Sequence, residues 1–143
     1  MSNPLRFCGA IACAVISLAG AAAPASAAVP DFFGSWYASA PDTRGITRID
    51  VRRSGDRIFV RIWGACHPTS CDWGEAPGQA YTAEVDAPTW PEADTVTAQF
   101  DTGAEHTIVL LHRTGGELAY ETFTHFQDGS GRSDYHQTAR LDR

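Results

Sequence analysis

From residue 34 onward, apolar and polar side chains alternate with a period of two. They do so in short runs broken by Gly, Pro, Asp and Ser. In 46–53, Thr47, Ile49 and Val51 fall opposite Arg48, Asp50 and Arg52. In 94–101, Val96, Ala98 and Phe100 fall opposite Thr95, Thr97 and Gln99. The same reading gives strands at 34–39, 57–63, 80–86, 106–112, 117–124 and 133–141, with Tyr81, Ala83 and Val85 sharing one face of the fourth in chain order. Ser54-Gly55-Asp56, Thr102-Gly103 and Gly115-Gly116 are tight hairpin signals, and Pro88 and Pro91 keep Trp90 out of any central strand. No window holds a helical period. The pattern predicts an all-β fold: an eight-stranded antiparallel up-and-down β-barrel, which removes its exposed edges by closing. Such a barrel encloses packed side chains or one small ligand. A β-sandwich is the second choice, because it needs longer crossover connections.

One connection stands out. The stretch 64–78 reads as a long loop between the third and fourth strands, and it holds Cys66, His67, Cys71, Asp72 and Trp73. Cys66 and Cys71 are the only cysteines after residue 27, so they read as a structural disulfide tying this loop. The alternative is a zinc site from Cys66, His67 and Cys71, but it lacks Cys-x-x-Cys spacing and a second ligand pair.

The chain before the strands has a different character. Arg6 precedes an apolar run from Phe7 to Ala23, and Pro24-Ala25-Ser26-Ala27-Ala28 offers a small-x-small cleavage site. Residues 1–27 are therefore expected to be a secretory signal peptide, and 28–143 a single domain, secreted or periplasmic. A transmembrane reading is weaker for so Ala- and Gly-rich a run, and a lipoprotein reading through Cys13 leaves almost no apolar segment behind Arg6. With Arg6 gone, 10 basic residues face 17 acids, a formal charge of −7. That balance argues against nucleic acid or anionic lipid as partner, and no membrane span is expected after residue 27. The chain has no lysine, which excludes Schiff-base chemistry.

Gly34-Ser35-Trp36 at the head of the first strand resembles the Gly-x-Trp opening of calycins, the superfamily of lipocalins, fatty-acid-binding proteins and avidins. The resemblance implies a barrel base plugged by Trp36 and crossed by an arginine after the last strand, with Arg140 preferred over Arg143. The chain departs from lipocalins in its shortness and in lacking a helix after the eighth strand. Cys66 to Gly74 also resembles a motif of secreted bacterial domains to which no function attaches.

Motifs for catalysis are wanting. There is no Gly-x-Ser-x-Gly elbow, no His-Glu-x-x-His, and no cysteine left to act as a nucleophile. No enzyme activity and no cofactor are expected. A metal site is not expected either: His106 and His112 are too far apart along one strand, and only register decides whether His125 and His136 approach. Asp128 to Asp134 reads as a polar turn rather than a calcium loop. Two functions remain: a barrel binding a small apolar molecule in its interior, or a protein-interaction module such as an inhibitor. The disulfide loop is the expected working surface, with His67, Asp72 and Trp73 as contacts. Because successive hairpin connections alternate ends, the Trp90 loop is expected at the other mouth. The disulfide itself is testable: titrating the denatured, unreduced secreted protein should find no free thiol. Replacing both cysteines by serine should cost about 2 kcal/mol, since the ring is short.

Overall fold

The computed structural model describes residues 27–40 and 43–143. The expected signal peptide lies outside the described residues but for Ala27, and so do Pro41 and Asp42 of the first expected turn. Eight strands form one antiparallel sheet in strict chain order: β1 Gly34–Tyr37, β2 Ile46–Ser54, β3 Arg57–Gly64, β4 Cys71–Tyr81, β5 Thr95–Asp101, β6 Glu105–Thr114, β7 Glu117–Phe126 and β8 Tyr135–Leu141. Tyr37 and Asp142 exchange both backbone hydrogen bonds, at 2.7 and 2.8 Å, and so join the first strand to the end of the last. The result is a nearly closed barrel, compatible with a calycin-like architecture.

Alternation decides what fills it. Ile58, Val60 and Ile62 of β3 point inward, as do Val96, Ala98 and Phe100 of β5, Val109 and Leu111 of β6, and Leu118 and Tyr120 of β7. Thr107, Thr122 and Thr124 are also buried, and the hydroxyls of Thr107 and Thr124 bond to each other at 3.0 Å. This pairing satisfies polar groups that water cannot reach.

Two stretches depart from the sequence reading. The fourth strand was expected at 80–86 but runs from Cys71 to Tyr81, so the long loop shrinks to residues 65–70. Ala76 and Ala80 are its inward residues, while Val85 is fully exposed. Pro77 concealed the strand. It is tolerated because β5 pairs with β4 only from Gly78 onward, leaving β3 as the one neighbour at that position. In β2, a bulge between Ile46 and Arg48 turns Ile46 inward and leaves Thr47 half-buried, displacing it from the inward face.

One end is sealed. A turn of helix, α1 (Val29–Phe32), packs against a second, α2 (Thr89–Glu92). The Phe33 and Trp90 rings lie 6.2 Å apart, and the Arg53 guanidinium lies 4.6 Å from the Trp90 ring centre. Beneath them Trp36 is fully buried and donates its indole N–H to the Phe32 carbonyl at 2.8 Å. The guanidiniums of Arg113 and Arg143 each lie 4.4 Å from its ring centre. Arg140 is not among them: it faces outward and pairs with Glu117 at 3.0 Å. The cause is parity, since Leu141 is buried and its neighbour Arg140 must point the other way. Arg143 also donates to the carbonyls of Asp31 and Phe33, at 3.1 and 3.0 Å.

The base yields a comparison in urea. Trp36→Ala should cost about 3–5 kcal/mol, as expected for a large buried aromatic. Arg143→Ala should cost about 1–2 kcal/mol through the lost ring contact and carbonyl bonds. Arg140→Ala should stay within about 0.5 kcal/mol. Equal costs for the two arginines would show that Arg143 does not hold the base.

Candidate functional site

With the base covered by α1 and α2, the opposite mouth presents its rim to solvent. Strand direction puts the disulfide loop there, as well as the chain leading into β2, and leaves Trp90 at the sealed end. Cys66 and Cys71 are bridged across the end of the β3–β4 hairpin, with their Cα atoms 5.5 Å apart. Because Cys71 already pairs with Gly64, the ring pulls a six-residue connection tight.

The loop is tied to its neighbour as well as to itself. The Ala65 amide donates to the Gly45 carbonyl at 2.8 Å. The Thr47 hydroxyl donates to the Trp63 carbonyl at 3.1 Å and lies 3.2 Å from the Ser70 hydroxyl. Between these two segments runs a groove of about 660 Å³. Thr43, Arg44 and Thr47 form one side, and Cys66, His67 and Ser70 the other. Hydroxyls, one guanidinium and one imidazole face it, so it is suited to a polar ligand.

The three sequence-predicted contacts separate in space. His67 lies on the exposed loop and lines the groove. Asp72 and Trp73 are successive residues of β4 at a β-bulge: Ile62 pairs with Gly74 and Trp63 with Asp72, so Trp73 is the extra residue. Asp72 lies on the outer wall, where it accepts from Arg61 and from the Gly74 amide at 2.9 Å. The Arg61 hydrogen bond, then the Gly74 amide, hold its carboxyl below the usual aspartate range. Trp73 turns inward, half-buried, and meets Phe100 edge-on at 6.1 Å. Its indole lies so near Gly64 that a Cβ there would stand 2.7 Å from Nε1. Glycine is required at that point to let the indole pack.

Sequence reasoning missed Arg44, Thr47 and Ser70. The first lies in a segment that reads only as a turn, and alternation puts Thr47 on the face of Ile49 and Val51. A second groove of about 310 Å³ adjoins the first, sharing Thr47 and Ser70 and adding Tyr37, Arg48 and Trp63. The Arg48 guanidinium lies 4.4 Å from the Trp63 ring centre and 5.4 Å from that of Tyr37, and is held by Asp50 at 2.6 Å. Elsewhere Asp128 is engaged by Ser130 and Arg132, which hold its carboxyl at about 2, so the glycine-rich segment is a turn closed on itself. Among the described residues no three His, Cys, Asp or Glu side chains gather as a metal set, and no helix is long and apolar enough to cross a membrane. Compared with known proteins, the chain matches no family model, and no curated protein or solved structure is significantly similar to it.

The Asp72 pair gives a pH prediction. Its carboxyl should titrate below the ordinary aspartate value of 3.8, and Arg61→Ala should return it toward that value in a carbon-13 NMR titration. A carboxylate held low contributes stability above its ordinary value, and that contribution is lost as the pH falls through the lowered one. An unchanged titration in Arg61→Ala would mean that the ion pair does not form in solution.

Proposed function

We propose that this chain is a secreted or periplasmic binding barrel that takes a small polar ligand on its rim, in the groove between the disulfide loop and the segment leading into β2. The observation carrying the reading is the groove itself: about 660 Å³, walled by Arg44, His67, Thr47 and Ser70. The disulfide ties the loop wall to itself, and the Ala65–Gly45 and Thr47–Ser70 bonds join the two walls. Walls fixed before a ligand arrives reduce the ordering cost of binding. An apolar molecule inside the barrel has less support, because Trp36, Ile49, Ile62, Leu111, Leu118 and Tyr120 already fill the interior.

The export reading rests on the leader pattern of residues 1–27 together with the Cys66–Cys71 bridge, a bond that persists in oxidising compartments. Kinship with calycins rests on Gly34-Ser35-Trp36, the eight-stranded order and the arginine-flanked Trp36. A second reading, a protein-interaction module, draws on Ile108, Phe123 and Tyr135, large apolar side chains exposed on the outer wall. Here His67, Asp72 and Trp73 would not act as one contact set, since only His67 faces the groove.

A fragment screen by nitrogen-15 NMR, using small carboxylates, mono- and disaccharides and amino acids, tests the choice. Amide shifts should cluster at 43–47 and 65–70, and Arg44→Ala or His67→Ala should weaken them at least about tenfold without changing the unfolding midpoint. Shifts confined to the strand residues around Phe123 would replace the rim site with the outer wall.

A further inference from the structure

The register of the last four strands assembles a row of side chains that sequence spacing scatters. Asp101 pairs with His106 across β5 and β6, and His106 pairs with His125 across β6 and β7. Asp134, just before β8, completes the row: its carboxylate lies 2.7 Å from His125 Nδ1 and also accepts the Phe126 amide at 3.0 Å. At the other end, Asp101 lies 3.9 Å from His106 Nδ1. The order across the outer wall is therefore carboxylate, imidazole, imidazole, carboxylate.

We infer that His106 and His125 form a two-histidine chelate for a divalent transition ion, with zinc, nickel and copper as its class. Paired residues on adjacent strands hold their Cβ atoms about 5 Å apart, within reach of a single ion bound by both rings at about 2.0–2.1 Å. In each residue the carboxylate stands on the Nδ1 side, and Nε2 has no partner among the described residues. At His125 the carboxylate of Asp134 hydrogen-bonds Nδ1 and leaves Nε2 as the ring nitrogen for an ion, the outer-shell arrangement of histidine metal ligands, while Asp101 stands 3.9 Å from His106 Nδ1, beyond hydrogen-bond reach. Imidazole donors select zinc, nickel or copper over magnesium or calcium. The chain supplies two donors, in keeping with the absence of any larger set among the described residues, and water completes the coordination. The row borders an apolar groove of about 390 Å³ that includes Ile108, Phe123 and His136, on a different wall from the rim groove.

Isothermal titration of the protein without an affinity tag, near neutral pH, tests this with zinc, copper and magnesium chlorides. One zinc per chain is expected, copper binding more tightly and magnesium not at all. His106→Ala and His125→Ala should each abolish saturable zinc binding, and Asp134→Asn should weaken it about tenfold or more. His67→Ala and His112→Ala should leave it intact. Imidazole NMR of the unaltered protein gives an answer that needs no variant: zinc should shift the ring nitrogens of His106 and His125 and no others. The inference is overturned if the parent binds no zinc saturably, if both histidine variants keep full binding, or if loss follows His67→Ala or His136→Ala instead.

Discussion

Trp36 is the constraint on which the rest of the barrel depends. An up-and-down sheet must close on itself and must also close its ends, and one indole takes part in both. Its position in β1 fixes the strand that bridges to Asp142, while its N–H holds the α1 turn through the Phe32 carbonyl. Arg113 and Arg143 then bring β6 and the C-terminus to the same ring. The cost is visible in Arg113. Its Nε is buried without a partner, and burial, reinforced by the charge of Arg143, pushes its guanidinium down from the ordinary arginine value. Two guanidiniums on one ring repel each other, and the backbone carbonyls they reach offset that repulsion. Arg143 bonds Asp31 and Phe33, and Arg113 bonds Gly115 and Glu117.

Closing the base in this way divides the molecule. The end covered by α1 and α2 is closed over Trp36, and the interior is filled with Ile, Leu, Val and Tyr, which sets the two grooves of the rim and the outer wall apart from the core. The two carry different chemistry because they are built differently. The rim is made of connections, so its polar groups come from short loops cross-tied by a disulfide and backbone bonds. The outer wall is made of strands, so its groups come in register-fixed rows. Asp50, Arg61 and Glu75 on β2, β3 and β4 form one such row, and His106 and His125 belong to another. A tied loop site surrounds a ligand with varied polar groups, whereas a strand row sets a single spacing suited to an ion or a flat partner.

Much of this was legible in the chain, and the failures have physical causes. Seven of the eight strands lie close to where alternation puts them, because a half-buried sheet leaves its period in the sequence. The sequence misplaces β4 because Gly74, Pro77 and Gly78 read as loop residues, whereas Gly74 and Pro77 sit where β4 has no β5 neighbour and Gly78 makes room for Ile58. Adjacency in the sequence groups Asp72 with Trp73, but the β-bulge at Trp73 lets the indole pack against Phe100 while Asp72 stays on the outer wall beside Arg61. Alternation along the chain does not announce a bulge. The choice of Arg140 over Arg143 fails for a simpler reason. Leu141 must be inside, so parity excludes its immediate neighbour.

The histidine row shows a further kind of legibility, available but unused. Gly115-Gly116 is a two-residue turn flanked by Thr114 and Glu117, which pair with each other. A two-residue turn fixes the register of the whole hairpin. Counting outward from that pair places His112 opposite Ala119, Ile108 opposite Phe123 and His106 opposite His125. Considering histidines by their spacing within one strand finds only His106 and His112, several residues apart on the same face. The informative distance runs across the hairpin, and the two glycines at its tip carry it. Register arithmetic from a short turn therefore finds clusters that motif searches along the chain cannot, wherever a meander offers turns this short. It fails at the β7–β8 connection, where an eight-residue loop separates Phe126 from Tyr135 and Asp128 closes on Ser130 and Arg132. There the chain's own side chains set the register, and only the folded structure brings Asp134 beside His125.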